Sequence, residues 1–160
     1  APDTHFGHEH AYIPKYPVGT PPTADDVRAL AEGHTVVKLL ARVALGDHDA
    51  DSFLEQALAH VEHRVTVTHS DSADVLLEIS ALGVSKGSTL AGYAASLGIA
   101  PPACAAIGDM PNDIPMIAWA GVGLAVDGAH ERVLRVADAV LPGPEDDGVA
   151  RFLAAVLADR

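Results

Sequence analysis

The sequence predicts an α/β protein whose second half is a doubly wound, Rossmann-like parallel sheet. From residue 83 onward, short apolar runs alternate with helical patterns through short links, the order typical of parallel strands joined by crossover helices. Before that point, two Val-rich runs at 64–68 and 75–79 follow each other without a helix between them. We therefore predict an α+β unit over 1–82 and the parallel-sheet unit over 83–160.

The individual elements follow from apolar periodicity, helix caps and turn residues. In the first unit they are an irregular segment, a helix, a strand, a second helix and two antiparallel strands, at 1–22, 23–32, 35–45, 50–60, 64–68 and 75–79. In the second unit, helices at 85–97, 113–120, 130–136 and 147–158 alternate with strands at 103–107, 122–126 and 139–141.

Composition excludes several classes of partner. The formal net charge of −12, from 22 acidic and 10 basic residues, disfavours nucleic acid and anionic membrane surfaces because both would repel the protein. No apolar run approaches the roughly 18–20 residues of a membrane helix, and no signal-peptide pattern is present. These features predict a cytoplasmic protein, in which the single Cys104 is a buried, inert thiol.

The stretch 103–116, ACAAIGDMPNDIPM, contains the first candidate site. A buried parallel strand here would deliver Asp109 to the carboxyl edge of the sheet, where ligands usually bind in α/β folds. Asn112 is a plausible N-cap for the following helix, with Asp113 in its first turn. Two carboxylates and an amide are hard oxygen ligands suited to Mg²⁺. The alternative is that Asp109 and Asn112 only cap the turn and the helix.

The GVSKG run at 83–87 contains the second candidate site. Ser85 is expected to cap a helix, which places Lys86 in a first turn where the helix dipole disfavours a cation. Something else must justify this lysine, one of only three in the chain. A lysine beside free backbone N–H groups and glycines can hold a phosphate or offset crowded carboxylates. The alternative is a solvated surface lysine.

Taken together, these motifs resemble a known family. The runs that carry the resemblance are EISALGVSKGSTLAGYAASLGI, AAIGDMPNDIPMIAWAGVGLAV and EDDGVARFL, with Ala129, Ala137 and Asp138 between the last two. They are similar to the C-terminal half of Cof-type haloacid-dehalogenase-like hydrolases over about residues 78–156. Residues 35–77 show weaker similarity to the end of that family's cap, so the resemblance implies that 1–82 is a cap remnant and 83–160 the second half of the core.

The resemblance implies a Mg²⁺-dependent phosphatase of small phosphorylated metabolites such as sugar phosphates, acting through an aspartyl-phosphate intermediate. In this family the lysine of the GVSKG motif contacts the nucleophile and the phosphoryl group, which corresponds to Lys86 as catalytic and substrate-binding residue. The first Asp of the GDxxND motif ligates Mg²⁺, which corresponds to Asp109. Asn112 and Asp113 complete or orient that site, Asn112 toward substrate and Asp113 toward the metal.

The sequence departs from the family pattern at the nucleophile. A DxDGT-like motif is absent, and the DxD at Asp47-His48-Asp49 is followed by Ala50 instead of Gly. We interpret this DxD as a turn and a helix cap. If the resemblance holds, the chain is expected to be a fragment that is inactive alone, with the attacking Asp supplied by a preceding segment or a second copy.

Two further hypotheses remain open. The strand-end loop could serve a non-catalytic module that binds Mg²⁺ or a phosphorylated ligand without hydrolysing it. A second metal group, formed by His5, His8 and His10, is disfavoured because these residues lie in a Pro-rich segment without a fixed scaffold. The sequence does not define the role of these histidines or the specific substrate.

Overall fold

A small antiparallel sheet precedes a parallel sheet in the computed structural model. The structure describes residues 37–42, 49–61, 63–70 and 75–158, and a few isolated positions between 23 and 32. The segment predicted to be irregular at 1–22, with its three histidines, and most of the helix predicted at 23–32 lie outside the described residues. The residues from 37 onward belong to one unit, and those up to 36 belong to another.

The antiparallel sheet has the strand order β1-β3-β2, formed by Leu39–Arg42, Leu76–Ala81 and Val65–Thr68 respectively. Helix α1, Ala50–Val61, covers one face, where buried Leu54, Val67 and Leu77 form a small core. Because side chains alternate along a strand, the residues between these apolar positions face the other way. That second face is polar, since Thr68 lies opposite Glu78 in the register of β2 and β3.

The second sheet is parallel, as predicted, with the order β4-β5-β6. Its strands and connecting helices are β4 Ala105–Gly108, α3 Ile114–Trp119, β5 Val122–Val126, α4 Glu131–Leu134 and β6 Ala139–Leu141. Helix α2, Lys86–Ser96, precedes this sheet and α5, Gly148–Ala158, follows it. Ile117, Ala125 and Val133 form the buried core between β5 and the helices. The mixed α/β fold with a parallel sheet is therefore confirmed.

Each helix of the second unit begins one residue later than the sequence predicts. Asn112 is not the N-cap of the helix after β4. It lies in a 3₁₀ turn, Pro111–Asp113, and α3 begins only at Ile114. Likewise α4 begins at Glu131 and spans four residues, with His130 as its N-cap. The predicted domain boundary at 82/83 falls between the two sheets and stays a prediction. In the part of the chain that the structure describes, no helix is long and apolar enough to cross a membrane.

Helix α2 offers a matched pair of glycines for a stability prediction. A Cβ on Gly87 would lie 2.5 Å from the backbone carbonyl of Pro115 in α3, whereas a Cβ on Gly92 would meet nothing within 4 Å. We expect Gly87→Ala to lower the free energy of unfolding by about 1–3 kcal/mol through overpacking. Gly92→Ala should raise it by about 0.5–1 kcal/mol, because alanine loses less backbone entropy in a helix. Urea unfolding of both variants checks this, and equal effects would contradict the close helix approach.

Candidate active site

The GVSKG motif forms the turn that connects β3 to α2. Gly83 has a φ of +81°, a conformation that glycine adopts without steric cost. Ser85 is the N-cap, as predicted, and its Oγ accepts a hydrogen bond from the N–H of Ser88 at 3.0 Å. The Ser88 Oγ in turn accepts from the N–H of Ser85 at 2.9 Å, which completes a capping box. Helix α2 therefore begins at Lys86, with the lysine in its first turn.

Lys86 and Asp113 form the ion pair that justifies a lysine at this position. The Lys86 Nζ donates a hydrogen bond to Asp113 Oδ1 at 2.5 Å. The Asp113 side chain is only 4% exposed, while that of Lys86 is 50% exposed. Lys86 therefore offsets the charge of a buried carboxylate, which is one of the roles considered for it. Because half of Lys86 remains accessible, the same ammonium group can also contact a ligand.

Asp113 also holds the loop that follows β4. Its Oδ2 accepts hydrogen bonds from the N–H groups of Asp109 and Met110, both at 3.1 Å. Gly108 makes this arrangement possible, because a Cβ there would lie 2.4 Å from the Cβ of Asp113. Both carboxylate oxygens of Asp113 are thus engaged within the protein. This geometry supports an orienting role, and the direct metal-ligand role predicted for Asp113 stays a prediction.

Asp109 is fixed through its main chain while its side chain faces solvent. Its N–H donates to Asp113, and its carbonyl accepts a hydrogen bond from the N–H of His130 at 2.8 Å. Among the described residues, no hydrogen bond or ion pair engages the Asp109 carboxylate. An exposed carboxylate on a rigid backbone, at the end of a parallel strand, is available to a ligand.

Asn112 lies in the same loop and is 7% exposed. Its Oδ1 is buried and has no hydrogen-bond partner among the described residues. A buried polar oxygen without a partner costs free energy, so a donor from outside the protein is expected to satisfy it. The side chain lines a cleft and is thus within reach of such a donor.

That cleft, of about 510 Å³, lies between the polar face of the antiparallel sheet and the start of α2. Lys38, Thr68 and Glu78 line it on one side, and Lys86 and Asn112 on the other. Its volume falls within the range of about 300–1,000 Å³ that is typical of small-molecule sites. Two of the three lysines in this strongly acidic chain therefore line the same cleft.

Glu78 is the acidic group of this cleft. The Lys38 Nζ donates to Glu78 Oε2 at 2.8 Å, and the Ser70 hydroxyl donates to Oε1 at 3.1 Å. The hydrogen bond from Lys38 holds the pKa of Glu78 below its ordinary value of 4.5, against the opposing effect of partial burial. Glu78 therefore remains ionised beside the two lysines.

This lowered pKa predicts a pH-dependent difference in stability. Above pH 4.5 the ionised Glu78 stabilises the folded state, and this contribution disappears as the pH falls through its lower folded-state pKa. We expect the stability difference between the wild type and Glu78→Gln to shrink between about pH 5 and pH 3 in urea unfolding. Glu55→Gln, at an exposed position on α1, is the control. A difference that stays constant over this range would contradict the prediction.

The residues of the loop fit a magnesium ion. Mg²⁺ prefers carboxylate oxygens and usually keeps several of its waters. The unengaged carboxylate of Asp109 offers one such ligand, and the unpartnered Oδ1 of Asn112 can accept a hydrogen bond from a metal-bound water. These are the residues that would hold the ion.

Several residues of the cleft were missed from the sequence. Lys38 and Glu78 lie 40 residues apart and meet only because β1 pairs with β3. A second group, formed by Asp51, His69 and His130, was also missed. The side chain of His69 in this second group is fully buried. The only local signal for Glu78 was its position in a strand facing away from the apolar side.

The parallel sheet, the carboxylate loop at a strand end and the lysine at a helix start define an α/β protein with a candidate metal and phosphate site. Residues 11–153 match the model of the haloacid dehalogenase-like hydrolase family. The chain belongs to this family, and the resemblance to its Cof-type members is confirmed.

The matched segments span about a third to a half of the relatives' own lengths, and the relatives described here are named as phosphatases or hydrolases. A pyridoxal phosphate phosphatase of Escherichia coli is 32% identical over 132 residues, which cover 82% of this chain and 48% of the relative. A phosphoglycolate phosphatase of Archaeoglobus fulgidus is 47% identical over 70 residues, covering 44% of this chain and 31% of the relative. A haloacid dehalogenase-like hydrolase structure from B. subtilis has a TM-score of 0.66 at 29% identity, covering 79% of this chain and 44% of that one.

Proposed function

We propose that this chain carries the metal and phosphate side of a Mg²⁺-dependent phosphatase that acts on small phosphorylated metabolites. The observation that supports this most directly is the Asp109 carboxylate, unengaged among the described residues, on a backbone held by Asp113 and His130. Lys86 lies beside it, paired with Asp113 and half accessible from the cleft. The phosphatase names of the relatives support the same class of reaction.

Each site residue then has a distinct role. Asp109 ligates the metal ion, and Asn112 accepts a hydrogen bond from substrate or from a metal-bound water. Lys86 donates hydrogen bonds to the phosphoryl oxygens and stabilises the charge of the transferring group. Asp113 orients Lys86 and the loop. When bound, Mg²⁺ supplies further charge neutralisation at the phosphoryl group.

Hydrolysis proceeds in the proposal through an aspartyl-phosphate intermediate. An Asp carboxylate attacks phosphorus while the alcohol of the substrate leaves, and water then cleaves the acyl phosphate to release inorganic phosphate. We propose that this Asp lies outside residues 1–160, in a preceding segment. The Asp47-His48-Asp49 motif supports this, because Asp49 caps α1 by accepting a hydrogen bond from the N–H of Ser52 at 2.8 Å. The 160 residues alone are then expected to be inactive.

The proposed substrates are sugar phosphates and similar metabolites. The relatives named for phosphoglycolate and pyridoxal phosphate define the chemical range to be tested. The polar sheet face, with Lys38, Thr68 and Glu78, suits the hydroxyl and charged groups of such molecules. The net charge of −12 supports an enzyme that binds neither nucleic acid nor anionic membranes, and we propose that it is cytoplasmic.

The second candidate function is a non-catalytic module that binds Mg²⁺ or a phosphorylated ligand through the same loop. The role of Asp49 as a helix cap favours it, because the Asp47-His48-Asp49 motif then supplies no nucleophile. Such a module would bind its ligand without releasing phosphate.

A phosphate-release assay distinguishes the two functions. The panel contains phosphoglycolate, pyridoxal phosphate and several sugar phosphates, each with Mg²⁺ and with EDTA. It is applied to the 160-residue chain and to the protein expressed from its full reading frame. The phosphatase proposal predicts Mg²⁺-dependent release by the latter. Saturable binding of Mg²⁺ and phosphate in calorimetry, without release of phosphate in any assay, would favour the binding module.

A further inference from the structure

Three side chains from separate parts of the chain meet beside the Asp109 loop. Asp51 is the second residue of α1, His69 follows β2, and His130 precedes α4. The Asp51 Oδ1 lies 3.0 Å from His69 Nε2, and the Asp51 Oδ2 lies 3.0 Å from His130 Nε2. The last contact joins residues 79 positions apart in the sequence. We call this group the His-Asp-His bridge.

The contacts around the rings of His69 and His130 indicate which nitrogen of each ring carries the proton. The Nδ1 of His130 accepts a hydrogen bond from the N–H of Arg132 at 3.1 Å, so the proton of the neutral ring lies on Nε2 and is donated to Asp51. His69 is fully buried, and its Nδ1 has no partner among the described residues. A proton on Nδ1 would thus be a buried donor without an acceptor. It is better placed on Nε2, where Asp51 accepts it.

The charge of Asp51 agrees with this assignment. Burial alone would raise the pKa of Asp51, but the hydrogen bonds from His69 and His130 outweigh it and hold the pKa below its ordinary value of 3.8. Each oxygen of the carboxylate therefore accepts one N–H group. Both oxygens of Asp51 are thus engaged by the two rings, while the Nδ1 of His69 has no partner among the described residues.

His130 carries the effect of the bridge into the candidate active site. Its backbone N–H donates to the carbonyl of Asp109 at 2.8 Å, and its own carbonyl accepts from the N–H of Val133 at 2.8 Å. The ring and the main chain of His130 are thus both held. A shift of the ring would be transmitted to the Asp109 carbonyl through a single residue.

We propose that Asp51 is a positioning residue, which acts through His130 to hold the Asp109 loop in place. The effect of Asp51 on the position of the Asp109 loop is independent of the reaction. Its effect on catalysis rests on the proposed function. The bridge also ties α1, which covers the antiparallel sheet, to the loop at the end of β4.

The alternative is that these three side chains bind a metal ion, since their ligand atoms lie within 4.8 Å of one another. A metal bound to both Nε2 atoms would displace the two protons donated to Asp51. It would also require the His130 proton to move to Nδ1, where the N–H of Arg132 now points. These contacts favour the protonated bridge.

Amide hydrogen exchange of the 160-residue chain tests the proposal. We expect Asp51→Ala to accelerate exchange of the His130 amide by about tenfold or more relative to the Gly123 amide, because the local opening becomes easier. The Gly123 amide is a suitable reference, since it donates to Asp138 Oδ2 at 2.8 Å in the parallel sheet. Nitrogen-detected NMR should show the Nε2–H form of both rings in the wild type.

Asp49→Ala is the matched control, because it removes the cap of the same helix without touching the bridge. It should change exchange at His130 and Gly123 by the same factor. An unchanged ratio in Asp51→Ala, within about twofold of the wild type, would overturn the proposal. So would an Nδ1–H form of His130, or saturable Zn²⁺ binding that is lost in His69→Gln.

The catalytic consequence is tested in the protein expressed from its full reading frame. Asp51→Ala should raise the Mg²⁺ concentration for half-maximal activity by about 10–100-fold, as loss of an outer-shell partner does, with a smaller change in KM for the phosphoester. An unchanged Mg²⁺ dependence would overturn this consequence. Absence of any hydrolysis by the wild type would instead contradict the proposed function, while the exchange experiment would still decide the positioning role.

Discussion

Asp113→Ala is expected to lower the free energy of unfolding by about 3 kcal/mol, measured by urea unfolding at neutral pH. The buried carboxylate accepts hydrogen bonds from the N–H groups of Asp109 and Met110, and each donor left without an acceptor costs about 1–3 kcal/mol. The lost pair with Lys86 adds little to the stability, because the lysine side chain is 50% exposed and screened by water.

Asp113→Asn separates the two roles of this side chain. The amide oxygen can replace Oδ2 as acceptor for both N–H groups, while the amide nitrogen replaces the oxygen that pairs with Lys86. We expect a loss of stability of about 1 kcal/mol or less. If Lys86 binds the phosphoryl group, phosphatase activity should nevertheless fall strongly. Equal losses of stability in the two variants would contradict the assigned hydrogen bonds.

Gly108→Ala is expected to lower the free energy of unfolding by about 3–4 kcal/mol, because overpacking and lost hydrogen bonds add. The new Cβ would lie 2.4 Å from the Cβ and 2.6 Å from the Cγ of Asp113. Asp113 cannot withdraw without releasing the loop N–H groups and Lys86. The substitution therefore both strains the end of β4 and displaces the carboxylate of Asp113.

A suitable control for Gly108→Ala is Gly92→Ala in α2, where the added methyl group meets nothing within 4 Å. In thermal unfolding, the Tm of Gly108→Ala should lie below that of the wild type and the Tm of Gly92→Ala above it. A Gly108→Ala protein as stable as the wild type would show that the Asp113 side chain does not fold back onto the loop as described.

Much of the fold could be predicted because apolar runs end abruptly at residues that stop strands. Strands β5 and β6 were predicted with the observed bounds, and β2 was predicted to within one residue. Helix starts were less accurate. Asn112 carries the residue type of an N-cap, but Asp113 satisfies the loop N–H groups instead, and a 3₁₀ turn intervenes before Ile114.

The candidate site was predicted where local sequence determines it and missed where tertiary contacts do. Asp109 and Lys86 stood out because a strand end and a helix start are recognisable from a few neighbouring residues. The glycines near Lys86 were interpreted as residues that help the lysine to hold a phosphate. In the structure, Gly87 lets α2 approach Pro115 closely. The partners of Asp51 lie 18 and 79 residues away in the sequence, and no local pattern predicts these contacts.

A Mg²⁺ titration of Asp109→Asn tests most directly the proposal that Asp109 is the metal ligand of a phosphatase site. The rate of phosphate release is measured with the protein expressed from its full reading frame, and Asp127→Asn, an exposed turn residue, is the control. We expect Asp109→Asn to reduce kcat/KM by about 100-fold or more at saturating Mg²⁺, with unchanged unfolding, and the control to behave as the wild type. Wild-type activity and Mg²⁺ dependence in Asp109→Asn would contradict the assignment.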